Sequence, residues 1–125
     1  IYLDPARMPR QAMLQWHDGT WEHRAYWGEN LIPWGTDNTV SRQYMGPLPP
    51  PGRWVRLEVP AATVGLEGRI VGGMAFTLFD GMATWDRAGK RALQPVGAGE
   101  PSAPALLFPG GTLDFTSVID PVIGA

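Results

Sequence analysis

The sequence predicts an all-β fold, an antiparallel β-sandwich of jelly-roll-like type, and three observations carry that expectation. Glycine (16) and proline (13) are abundant in 125 residues, which works against long helices and in favour of many turns. Short runs in which apolar and polar residues alternate recur between those turn residues, the pattern of half-buried strands. Helical periodicity is weak throughout, and only "PAATVGLEG" (60–68) suits a single helical turn.

The bulk numbers bound the rest. The length suits one domain with a real core. A net charge of −2 without a basic run argues against nucleic acid or an anionic membrane as partner. No apolar run is long enough to cross a bilayer, so no membrane insertion is expected. Cysteine is absent, which removes disulfides, thiol nucleophiles and thiolate metal sites. Six tryptophans are far more than a chain of this size usually carries. The chain begins at Ile1 in what reads as mid-strand, as an excised or processed piece would.

Taken in order, "IYL" reads as a strand end stopped by Asp4-Pro5. Residues 11–16 and 20–27 read as two strands joined at Asp18-Gly19, because a type I′ turn needs positive φ at both central positions. That turn sets Trp16 across from Trp21. Parity then puts Ala12, Leu14, Trp16, Trp21, His23, Ala25 and Trp27 on an apolar core face. Met13, Gln15, His17, Thr20, Glu22, Arg24 and Tyr26 fall on a polar face expected to meet solvent or a ligand. The loop that follows, ending in Pro49-Pro50-Pro51-Gly52, exceeds ordinary loop lengths. It is therefore either functional or hides a short strand near 40–44. "RWVRLEVP" alternates with Val55, Leu57 and Val59 inward and Trp54, Arg56 and Glu58 outward. "GMAFTLF" sets Met74, Phe76 and Leu78 against Ala75, Thr77 and Phe79, and Asp80-Gly81 repeats the hairpin signal before "MATWD". From Arg87 the composition turns to Gly, Ala and Pro, as in a linker. A last hairpin is expected around Pro109-Gly110-Gly111. The expected organisation is a module over 1–90, a linker over 91–105, and a C-terminal hairpin or tail over 106–125.

The tracts "LDPARMPRQAMLQWHDGTWEHRAYWGENLIPWG" and "RQYMGPLPPPGRWVRLEVPAATVGLEGRIVGGMAFTLFDGMATWDRAGK" resemble a module of large secreted bacterial proteins, among them RHS/YD-repeat surface proteins and planctomycete multidomain proteins. The resemblance spans 1–90 and implies an extracellular or cell-surface jelly-roll-like β-sandwich with no assigned chemistry. Further strands precede "YLDP" in that module, so either the tail supplies replacements or another copy or neighbouring domain completes the sheet. "GRWVRLEVP" with "GMAFTLFDG" and "TWD" also resembles the closing strands of jelly-roll carbohydrate-binding modules.

Chemistry is sparse. His17 and His23 fall on opposite faces of the expected hairpin, so they do not share a metal, and no HxH or HExxH spacing exists. Asp4, Asp80, Asp86 and Glu58 are oxygen ligands for a calcium ion if loops gather them, but no tandem Asp motif supports it, and no cofactor is expected. Serines are few, with no GxSxG. Glu22 and Glu58 form a conceivable glycosidase pair, but each has an arginine close in sequence, Arg24 and Arg56. Binding is better motivated: sugar rings stack on aromatic faces while amides, guanidiniums and carboxylates bond their hydroxyls. The candidate aromatics are Trp54, Tyr26, Trp34 and Tyr44, with Gln15, Glu22, Arg24, Arg56 and Glu58 as polar partners; Trp34 alternatively plugs its own loop. Trp16, Trp21, Trp27 and Trp85 are assigned to the core. The expected function is non-catalytic polysaccharide binding. The alternatives are a structural or assembly module whose sheet edges pair with neighbouring copies and, from a third class, an enzyme with close carboxylates.

Overall fold

The computed structural model describes residues 1–91 and the backbone of residues 112–113 and 116–119. The elements are β1 (Tyr2–Leu3), β2 (Gln11–His17), β3 (His23–Gly28), β4 (Gln43–Gly46) and β5 (Leu57–Pro60), then a 3-10 turn (Ala61–Val64). They continue as β6 (Arg69–Ile70), β7 (Gly73–Phe79), β8 (Ala83–Thr84), β9 (Ala88–Arg91), β10 (Thr112–Leu113) and β11 (Thr116–Ile119). The fold is all-β, as its turn-rich, alternating sequence predicts.

The largest sheet has the order β4-β3-β2-β7. Its inner face carries Ala12, Leu14, Trp16, Ala25 and Trp27, which pack on Leu3, Leu57, Val59, Ala61, Val64, Leu66 and Val71 in one buried cluster. Of the three residues of "RWVRLEVP" expected inward, Leu57 and Val59 join this cluster, while Val55 is half-buried outside it. Trp85 packs partly buried against the same cluster. β1 pairs with β8, β6 with β10, and β11 lies between β5 and β9. β1 continues through backbone bonding of Val55 to Ile1 (2.9 Å) and a bridge from Tyr2 to Trp54.

The hairpin differs from expectation in register. Trp16 faces His23 and Ala12 faces Trp27, so five residues (18–22) connect the strands instead of two. A shift of two positions preserves parity, because side chains alternate with period two. The faces therefore stand as read, while Trp21 leaves the strand and the core and is 40% exposed. The expected pairing of Trp16 with Trp21 is corrected. The carboxylate of Asp18 explains the wider loop: it turns inward to His23 rather than closing a tight turn.

Other departures follow from long-range pairing. The loop does contain a short strand, β4, but it runs parallel to β3. Asp80 and Gly81 both adopt positive φ (61° and 68°), the conformation expected of them, yet β7 and β8 do not pair with each other. The turn instead carries the chain from the sheet of β2 to the partner of β1, under Met8 and Pro9. Residues 88–91, where the composition turns and the expected linker meets the module, form β9. The rest of that linker, and the first arm of the expected last hairpin, lie outside the described residues.

Candidate functional site

The outer face of the four-stranded sheet is where alternation placed the polar candidates, and it is not open. Met13, Gln15, Arg24 and Tyr26 are buried on it, and Gln11 is wholly buried. The expectation that Gln15, Arg24 and Tyr26 meet solvent is corrected: residues 29–42 fold over them. The lid is held by bonds from side chain to backbone. Gln11 Oε1 accepts the backbone N–H groups of Leu31 (2.6 Å) and Ile32 (2.8 Å). Ile32 then packs with Met13, Tyr26 and Phe79. Arg24 donates to Gln15 Oε1 (2.8 Å), to the Glu22 carboxylate (2.6 Å) and to the backbone oxygen of Ser41 (3.0 Å). Gln15 passes the chain on to Thr77 Oγ1 (3.0 Å). Such a connected network satisfies buried polar groups that would otherwise be costly.

At the β4 edge, the Tyr26 hydroxyl donates to Asp37 (2.9 Å), whose other oxygen accepts from the Asn30 amide (3.2 Å). Burial, and then the bond to the Asp37 carboxylate, push the Tyr26 hydroxyl up to about 12. Arg42 donates to the backbone oxygen of Ile32 (3.1 Å) and lies 3.9 Å from Asp37. Against this net stands Tyr44, its ring 5.3 Å from that of Tyr26 and tilted by 48°. Tyr44 is 45% exposed, and Trp34, on the lid itself, is 48% exposed. Trp34 precedes Gly35, where an added Cβ would collide with the Ser41 backbone oxygen and sit against the Arg24 guanidinium. The lid therefore lies directly on Arg24 and carries Trp34 beside it.

The structure thus brings Gln15, Glu22, Arg24, Tyr26, Trp34 and Tyr44 to one face, some as support and some as surface. It leaves Trp54 and Arg56 elsewhere. Trp54, expected outward, is half-buried with its ring 5.7 Å from that of Tyr2. Arg56 sits 3.9 Å from Glu58, which also accepts from Arg91 (2.9 Å). Glu22, in the connection from β2 to β3, and Glu58, on β5, each face an arginine.

His17 and His23 do lie on opposite faces. His23 is nearly buried, its Nδ1 2.6 Å from the Val64 backbone oxygen and its Nε2 2.9 Å from Asp18. The candidate calcium ligands are dispersed: Asp4 accepts from the Ala6 backbone N–H (2.8 Å), and Asp80 lies 3.9 Å from Arg10. Among the described residues no three His, Asp or Glu side chains gather at metal-ligand spacing.

Asn30, Asp37 and Arg42 escaped the sequence reading because loop polar residues look alike until a partner is fixed. Trp21 escaped it because the turn was read as two residues long; the run of polar residues from 17 to 20 is the signal that could have widened it. Comparison of the chain with protein-family models, with curated proteins and with solved structures gives no match.

Proposed function

We propose that this chain is a non-catalytic carbohydrate-binding module acting outside the cell or at its surface, within a secreted bacterial protein. The observation that carries the reading is the pair of open rings, Trp34 on the lid and Tyr44 on β4 beside it, with the lid tied to the sheet by the bonds of Gln11, Arg24 and Tyr26. An exposed ring on a rigid base offers a stacking surface with little ordering cost. Asp37 and Asn30 beside Tyr44 supply a carboxylate and an amide for sugar hydroxyls. No cofactor enters this reading, since stacking and hydrogen bonds suffice. A glycosidase is disfavoured because Glu22 is paired with Arg24, and Glu58 with Arg91 and Arg56.

The test is a glycan array followed by affinity electrophoresis in soluble polysaccharides. Trp34→Ala and Tyr44→Ala are each expected to weaken binding about tenfold, near 1.4 kcal/mol. Both variants should keep the thermal midpoint of the parent, because the rings are half open to solvent. Absence of binding across plant, algal and bacterial polysaccharides would overturn the reading.

A second reading, an assembly module, is favoured by one observation. β7 pairs only with β2 among the described residues, and its seven residues carry no charge and no proline.

A further inference from the structure

The five-residue connection that displaces Trp21 from the core builds a surface of its own. The Asp18 backbone N–H donates to the Thr20 carbonyl (3.1 Å), and the Glu22 N–H donates to Thr20 Oγ1 (3.3 Å). Asp18 is tied to His23 (2.9 Å) and Arg69 (2.7 Å), and Glu22 to Arg24 (2.6 Å). The loop is thus anchored at both ends. Trp21 leans on the His17 ring, with centroids 5.0 Å apart and planes tilted by 52°. Its far edge reaches over Gly73, where an added Cβ would touch both Trp21 and His17. Gly73 is the strand partner of His17. Trp21 therefore stands on the outer face of the sheet, the same face that carries Trp34 and Tyr44. Exposing 40% of the largest side chain on a fixed loop adds little to the core and presents a ring to whatever lies on that face.

Position follows from register. Tyr44 is level with Tyr26 and Met13, and Trp21 with His17 and Gly73. Four residues separate these levels along β2, about 13 Å at ~3.3 Å per residue, and Trp21 lies on the β7 side of the sheet, opposite the β4 edge. Between these levels the face holds the buried Gln15–Thr77 bond, and Gly35 of the lid lies on Arg24, the strand partner of Gln15. One sugar ring does not reach across that span.

We infer that Trp21, seated on His17, is a further stacking position of the same face, and that the ligand is an extended oligosaccharide or polysaccharide chain rather than a terminal sugar. The inference rests on the carbohydrate-binding reading and adds a ligand class and a residue to it.

The experiment is titration calorimetry of the full chain with cello-, xylo- and manno-oligosaccharides, from disaccharide to hexasaccharide. The parent should bind the hexasaccharide of at least one series more tightly than its disaccharide. Trp21→Ala should lower the hexasaccharide affinity about tenfold and leave the disaccharide affinity unchanged, while Trp34→Ala and Tyr44→Ala lower both. Trp21→Tyr, which keeps a ring over Gly73, should restore most of the loss and guards against a simple folding defect. If Trp21→Ala binds the hexasaccharide as the parent does while Trp34→Ala fails, or if it loses both lengths equally, the extended site is wrong and the module stands. If the parent binds no member of any series, the extended site falls, and the carbohydrate reading falls with it only when the glycan array is blank as well.

Discussion

Asp18 is the residue on which the organisation of the hairpin end depends. Its carboxylate is almost fully buried, between the His23 ring and the Arg69 guanidinium. Both ring nitrogens of His23 face oxygen atoms, Nδ1 the Val64 backbone oxygen and Nε2 the Asp18 carboxylate. Burial alone would raise the Asp18 carboxyl. The charge and hydrogen bond of His23, the bond to Thr20 and the charge of Arg69 outweigh that and hold it below the ordinary carboxylate value. A carboxyl held low in the folded state stabilises above its unfolded value, about 3.9, and that contribution is lost as pH falls through the lower folded value. Asp18→Asn is expected to cost on the order of 2–3 kcal/mol at neutral pH, because it leaves a buried donor without its anion. Urea unfolding measured down the acid limb should show the parent losing its advantage over the variant below about pH 4. Parallel parent and variant curves there would reject this role.

At the scale of elements, the connection from β3 to β4 covers the outer face of the four-stranded sheet. Its anchors are Gln11, Arg24 and Tyr26, and alternation assigns the last two to a face open to solvent or a ligand. Strand parity was legible, since the hydrophobic set of "AMLQWH" and "HRAYWG" survives a register shift of two. The cover was not legible, because the backbone carbonyls and N–H groups that Arg24 and Gln11 satisfy belong to residues seventeen to twenty-one positions away. A buried Gln or Arg and an exposed one have the same letter; only the partner separates them. The same holds for Asp80-Gly81, whose local conformation was readable while the strand it served was set by β1. The lid makes a specific demand at Gly35, where φ is +84°. Gly35→Ala is expected to destabilise by on the order of 3 kcal/mol, since a Cβ there combines an unfavourable φ with collision against Ser41. Thermal unfolding checks this, and an unchanged midpoint would mean the lid is not held as described. The variant should also lose any binding that depends on Trp34.

For the molecule as a whole, the edge of β7 that no described strand covers connects the binding and assembly readings. Natural edge strands are usually blunted by lysine, proline or a bulge, and "GMAFTLF" has no lysine and no proline. Phe76 at its centre is 39% exposed and leans on Trp85, with ring centroids 5.0 Å apart. Antiparallel pairing of two such edges about a twofold axis at Phe76 would set Met74 opposite Leu78 and Ala75 opposite Thr77. No like charges would meet. Residues opposed across an antiparallel ladder point to the same side, so the outer faces of both copies would look the same way. The continuous sheet would then present two aromatic faces to one polysaccharide surface, and linked sites gain avidity of roughly 10²–10⁴ without new contacts. Light scattering is expected to give the mass of two chains for the parent and of one for Phe76→Lys, which places two ammonium groups face to face. The chain has no cysteine, so Phe76→Cys offers a clean reporter. Opposed Cα atoms about 4.5–5.5 Å apart lie within the reach of a disulfide, which should close between two copies on oxidation, and Trp34→Cys should not. Phe76→Lys should bind an insoluble polysaccharide at least tenfold more weakly than the parent while matching it on a short oligosaccharide. A parent that stays monomeric at every concentration removes the shared sheet, and Trp21, Trp34 and Tyr44 would then have to hold the ligand from a single copy.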